Sequence, residues 1–209
     1  ADFEFIDKMV DSTESHHHEV ILDNEELMYA LYPSVTARDL PGYVDIDSSL
    51  LLFCREIKRD FTVALSGECA DELFGGYPWY HNHEILFEDC FPWSREQEIR
   101  RGILKDGVLP KGESYVRERY LDTIREVDSL PQDSKVDRRM REMFALNYYW
   151  FMQCLLERKD RCSMYSGLEV RVPFCDMRLV DYAYNMPWDL KALNGQLLLP
   201  HHFWQNFLH

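Results

Sequence analysis

Apolar positions along this chain recur at more than one period, and the change of period divides it. Phe3, Ile6, Met9 and Val10 keep helical spacing and predict an amphipathic helix at the start. His18-Glu19-Val20-Ile21-Leu22 is a short apolar run with strand character. Asn24, followed by Glu25 and Glu26, predicts a capped helix through Tyr32, and Pro33 and Pro41-Gly42 break the chain. Asp47 is expected to cap a helix whose Leu50, Phe53, Cys54 and Ile57 share one face. Lys58 and Arg59 sit at its far end, where the helix dipole favours cations. Phe61-Thr62-Val63-Ala64-Leu65 is apolar on both faces, as in a parallel strand covered by helices. Strand, helix, helix, strand is the order of a doubly wound α/β sheet, so 18–22 and 61–65 are expected to pair in parallel through a right-handed crossover.

After residue 76 the pattern is helical, and no further strand is expected. Residues 80–130 are punctuated by Pro92, Gly107, Pro110 and Gly112. A long helix is predicted from about Val136 to Leu156, with Met140, Phe144, Tyr148, Phe151 and Leu155 in one stripe; core packing explains that stripe better than a cofactor box. Two strands do not make a sheet that folds alone, so other strands are expected to precede Ala1. The division read from the pattern is 1–76, the end of an α/β sheet; 77–195, a helical region; and 196–209, an unassigned tail.

Composition narrows the partners. The chain has 209 residues, 46% of them hydrophobic, enough for a sizeable core and too many for a disordered tail. The net charge of −14 repels phosphate backbones, which argues against nucleic acid. No run of 18 apolar residues occurs, and the acidic start ADFEFIDKMV is not a signal peptide. The six cysteines form no C-x-x-C and are expected to be reduced thiols in a cytoplasmic protein. His16, His17 and His18 read as a polar turn, because three adjacent side chains cannot easily face one ion.

Two stretches carry chemistry. The first, Ser66-Gly67-Glu68-Cys69-Ala70-Asp71-Glu72-Leu73-Phe74-Gly75-Gly76-Tyr77, directly follows the run 61–65. In open α/β sheets ligands bind outside the carboxyl ends of strands. Ser66 and Gly67 would let the backbone approach a phosphate, and N–H groups near Ala70 would favour an anion. Three carboxylates are too many for a bare anion site; they suit a Mg²⁺ between protein and phosphates, or one of them acts as a base. The plainer alternative is a strand, a turn and an acidic first helical turn.

The second stretch is Arg158-Lys159-Asp160-Arg161-Cys162-Ser163-Met164, then Gly167-Leu168-Glu169-Val170-Arg171-Val172-Pro173-Phe174-Cys175-Asp176. Its cations either complement a helix C-terminus or anchor a carboxylate or phosphate through a guanidinium fork. Glu169 and Arg171, two apart, share a face of an extended segment.

SGECADELFGGYPWY and RKDRCSMYSGLEVRVPFCD, in this order, resemble the two hallmark segments of the synthetase domain of glutamine-hydrolysing asparagine synthetases, and FPWSRE at 91–96 agrees. The resemblance covers about residues 3–193. It implies an adenine-nucleotide α-hydrolase-like (pyrophosphatase-type) parallel sheet, present in part, followed by a mostly helical region. It also implies ATP with Mg²⁺, adenylation of the aspartate side chain, and attack by ammonia from a glutaminase domain absent from this chain. Carried over, Glu68 matches the carboxylate beside the acyl adenylate that takes a proton from the amine. Asp71 matches a Mg²⁺ ligand, Ser66 and Gly67 the loop touching the nucleotide, and Arg161 and Arg171 positions that organise the site. The resemblance allows a homodimer.

The family's S-G-G-x-D-S nucleotide loop does not occur here. Past Leu193-Asn194-Gly195 the chain reads Gln196-Leu197-Leu198-Leu199-Pro200, where the family carries a Lys-Gly stretch. The 209 residues alone are therefore expected to be inactive. The alternatives are a β-lactam synthetase-like or peptide-cyclising enzyme on the same fold, and a catalytically dead binding module.

Overall fold

The structure, a computed structural model, describes residues 3–40, 42, 44–105, 107–108, 111–193 and 196–197. It is mostly helical with a small parallel sheet, consistent with α/β. The chain falls into two compact units, one from Ala1–Ser66 and Leu156–Arg171, the other from Gly67–Leu155 and Val172–Pro200. No helix among the described residues is long and apolar enough to cross a membrane.

In the first unit, helix α1 (Phe3–Thr13) forms where the spacing places it. The run 18–22 is not a strand: Ile21 is 80% exposed, and the segment pairs with no strand among the described residues. A short apolar run carries no period of its own, and only a partner would have made it a strand. Helix α2 (Asn24–Arg38) is capped by Asp23 rather than Asn24. Asp23 accepts the Glu26 N–H at 2.8 Å, and the Glu26 carboxylate accepts the Asp23 N–H at 3.0 Å. Pro33 lies inside α2 instead of ending it.

Helix α3 (Val44–Asp60) starts before Asp47, whose carboxylate is not a cap. It is buried and accepts two hydrogen bonds from the Arg38 guanidinium, at 3.0 and 3.2 Å. Gly42 lies against this ion pair, where an added Cβ would meet the Asp47 carboxylate at 2.1 Å. The two helices also meet through the Ser34 and Ser48 hydroxyls, 3.4 Å apart. Ala30 and Ala37 of α2 and Leu51 and Cys54 of α3 are buried.

Strand β1 (Val63–Leu65) pairs in parallel with β2 (Glu169–Arg171), not with 18–22; Val63 faces Glu169, Ala64 Val170 and Leu65 Arg171. A strand thus occurs in the stretch read as helical. The expected burial of β1 on both faces is corrected too: Phe61, Val63 and Leu65 are 58%, 40% and 74% exposed.

The second unit begins with the turn after β1 and helix α4 (Ala70–Phe74). A long helical stretch runs from Lys135 to Leu146, through a π-helical turn at Asn147–Phe151, and on from Met152 to Tyr165, well past the expected end at 156. The apolar stripe holds at Met140 and Phe144, which are buried, but Tyr148, Phe151 and Leu155 are only half-buried. A π turn admits an extra residue and rotates the helix beyond it about its axis. One apolar cluster gathers Tyr80, Leu86, Phe91, Tyr120, Met140, Met143 and Leu146; another gathers Leu73, Phe74, Phe144, Val180 and Ala183. Residues 196–197 of the tail pair antiparallel with Ala192–Leu193, and 198–209 lie outside the described residues.

Candidate functional site

Of the candidate residues, Ser66, Arg161 and Arg171 lie in the first unit. Ser66 extends the ladder past β1, its N–H donating to the Arg171 carbonyl at 2.9 Å. That N–H is therefore committed to the sheet. Arg171 donates through Nε to Glu169 at 2.8 Å, so the two residues share a face of β2 as their spacing implied. Arg161 bridges Asp39 at 3.0 Å and Glu157 at 2.9 Å. Both arginines carry a carboxylate partner within the unit and remain partly exposed. The helix bearing Arg158, Lys159 and Arg161 continues to Tyr165, so these cations lie inside it rather than at its last turn.

Gly67, Glu68 and Asp71 lie in the second unit. Beside Gly67 an added Cβ would meet nothing within 4 Å, so the turn has open space on that side. Oε2 of Glu68 is buried. Cys69 precedes α4 at φ 75°, a left-handed conformation that a residue with a Cβ adopts at a cost, and its side chain is 2% exposed. Burial first, then contact with Cys175 and the charges of Glu72 and Glu68, push its thiol well above the ordinary range, so it stays protonated. Helix α4 has only five residues and no side-chain cap, which makes it a weak anion site of itself.

Asp71 and Glu72, adjacent in sequence, end in different surroundings. Asp71 is solvent-accessible, and the Gly75 and Gly76 N–H groups donate to its carbonyl at 2.8 and 3.0 Å. Its carboxylate lies against Gly76, where an added Cβ would stand 1.9 Å from Oδ1. Loss of water on that side raises its carboxyl above the usual range. Glu72 is 1% exposed, and its Oε1 accepts the Tyr77 hydroxyl at 2.6 Å. Burial raises the Glu72 carboxyl, the Tyr77 hydrogen bond opposes that, and the charges of Asp71 and Glu68 raise it further. Tyr77 stacks on Trp79 at 4.3 Å and meets Phe151 of the π turn edge-on at 5.2 Å. The Glu72–Tyr77 pair is not legible in the sequence. Its only trace there is a Tyr five residues after a Glu across Gly75-Gly76.

Chemically, this turn holds one accessible carboxylate, one with a covered oxygen and one sequestered by a phenol. Such a set can accept protons and attract a cation.

Residues 1–198 match the asparagine synthase family, Asn_synthase. Asparagine synthetase (glutamine-hydrolyzing) 3 of Bacillus subtilis (strain 168) is 48% identical over 189 residues, 90% of this chain and 30% of that protein. Asparagine synthetase (glutamine-hydrolyzing) 1 of the same organism is 27% identical over 84% of this chain and 33% of its own length. The Bos taurus asparagine synthetase (glutamine-hydrolyzing) is 24% identical over 88% of this chain and 25% of its own length. The chain thus spans about a third or less of the relatives it matches. With both hallmark segments inside the matched residues, the chain belongs to the asparagine synthase family.

Proposed function

We propose that this chain carries part of the synthetase site of a glutamine-dependent asparagine synthetase, in the adenine-nucleotide α-hydrolase-like, pyrophosphatase-type α/β fold. The observation that supports it most is the acidic turn that follows β1, with Glu68 in the turn, Asp71 in the first turn of α4 and open space beside Gly67. The substrates in this reading are ATP, aspartate and ammonia released from glutamine by a separate domain.

Gly67 and the side of Ser66 touch the nucleotide. Asp71 holds Mg²⁺: an accessible carboxylate suits an ion that takes most of its oxygens from phosphate and water. Mg²⁺ held by Asp71 would supply positive charge to offset that of the phosphates. Glu68 takes the proton that the attacking amine must lose. Arg161 and Arg171, each already held by a carboxylate, keep the second hallmark segment in place. The aromatic packing of Tyr77, Trp79, Trp93 and Phe151 keeps water from the back of the turn. The 209 residues by themselves are proposed not to complete a turnover.

The test uses a polypeptide of the relatives' full length. Asp71→Asn should weaken both pyrophosphate exchange and asparagine formation. Glu68→Gln should slow asparagine formation while exchange persists. Equal loss of both steps in both variants would overturn the division of roles.

A further inference from the structure

The second unit encloses a cavity of about 600 Å³, within the range that small-molecule sites occupy. None of Gly67, Glu68 and Asp71 is among its described lining residues. Its walls include the aromatic and apolar side chains of Tyr80, Phe144, Tyr184 and Trp188, with Trp188 stacked on Tyr80 at 5.5 Å. Two cations also line it, Lys191 and Arg141.

The two cations are not in the same state. Arg141 is satisfied: it donates to both oxygens of Asp133, at 2.9 and 3.4 Å, and lies over the Tyr184 ring at 5.3 Å. Lys191 is 5% exposed, and its ammonium has three N–H donors. Among the described residues it finds one acceptor, the Leu73 carbonyl at 3.2 Å, and one aromatic face, Phe144 at 5.1 Å. No described carboxylate pairs with it. The acids around the cavity are Asp133, Asp137 and Asp189. Asp133 is taken by Arg141 and the Leu130 N–H, and Asp137 by the backbone and hydroxyl of Ser134. A buried ammonium without a counterion is costly, and a cavity beside it is where a counterion can enter.

We propose that this cavity binds a small organic monocarboxylate with an apolar or aromatic body. The carboxylate meets Lys191, and the body lies against the aromatic walls. With Arg141 neutralised by Asp133 and Asp137 held by Ser134, Lys191 supplies one positive charge to the cavity, which a single carboxylate matches and a dianion such as phosphate exceeds. Burial and the nearby Arg141 charge lower the Lys191 amine to about 8, so it is protonated at neutral pH and holds its charge most strongly when an anion is bound.

Calorimetric titration of the purified chain with benzoate, and with benzamide as its neutral isostere, tests the proposal. Benzoate should bind saturably at pH 7, with benzamide at least tenfold weaker. Lys191→Met should lose at least tenfold in benzoate affinity. Should that variant not fold, the unaltered chain still decides the matter: benzoate affinity should drop about tenfold between pH 7 and pH 9 as the amine deprotonates. Equal binding of benzoate and benzamide, undiminished binding by folded Lys191→Met, pH-independent affinity, or no heat with either probe would overturn it.

Discussion

The Tyr77 hydroxyl donates to Oε1 of Glu72 at 2.6 Å, across the Gly75-Gly76 turn that follows α4. It gives a buried carboxyl group its one side-chain donor among the contacts seen. Tyr77→Phe leaves that group without it and should cost about 1–3 kcal/mol in urea unfolding. The Glu72 carboxyl is raised in the folded state, so its favourable contribution is complete below the ordinary carboxyl value and is lost as pH rises through the raised one. Glu72→Gln keeps an acceptor for Tyr77 and cannot ionise. Its stability relative to the parent should therefore improve with rising pH above about 4.5, and a pH-independent difference would show that Glu72 does not titrate this way.

Gly76→Ala separates geometry from charge. The new Cβ would displace the Asp71 carboxylate, the flexible end of a side chain, so stability should change by no more than about 1 kcal/mol. In a full-length polypeptide, pyrophosphate exchange should nonetheless fall as it does in Asp71→Asn. Unchanged exchange would place the metal ligand elsewhere.

The Arg38–Asp47 pair is buried on both sides, with side chains 8% and 3% exposed. Arg38→Met strands the buried Asp47 carboxylate and should cost about 3–5 kcal/mol; Asp47→Leu should cost less, since Arg38 keeps Glu157 at 3.6 Å, and the double replacement should restore part of the loss. A double-mutant cycle by chemical denaturation measures the coupling.

For Lys191 the sign is opposite to that of Glu72. Its amine is lowered to about 8, so the unfolded chain binds more protons between pH 8 and 10.5, and folding gains as pH rises through that window. Buried Cys69 and half-buried Tyr77 are raised and lose stability on the alkaline side, so the readout is the difference between parent and Lys191→Met. That difference should shift toward the parent by up to about 3 kcal/mol from pH 8 to 10.5. A flat difference would show that the amine titrates normally.

The legible parts of this fold were those encoded locally. The apolar run ending at Leu65 and the turn beginning at Ser66 sit together in sequence, so β1 and its acidic turn could be read in order. Glu169-Val170-Arg171 could not be read as a strand: three residues with polar ends carry no β signal, and β2 exists because β1 lies beside it. Asp47 has a cap's chemistry, but Arg38 on the neighbouring helix draws it inward. Pro33 has a breaker's chemistry, yet the helix continues through it. Nothing in the sequence marks Lys191, since burial by residues far away in sequence leaves no local mark. Glu68 and Asp71 are singled out only through the resemblance, because an acidic first helical turn is common and only the pair of segments makes it specific.

One buried guanidinium fastens several pieces of the second unit. Arg139 donates to the carbonyls of Leu86 and Glu88, to the Tyr120 hydroxyl and to Glu142. The chain around 86–88 has little regular structure of its own, and the Gly112–Arg125 helix reaches it through Tyr120. The two segments consequently share a latch. Their slowest amides should exchange with deuterium at a common opening free energy, and a protease that finds one open should find the other open as well.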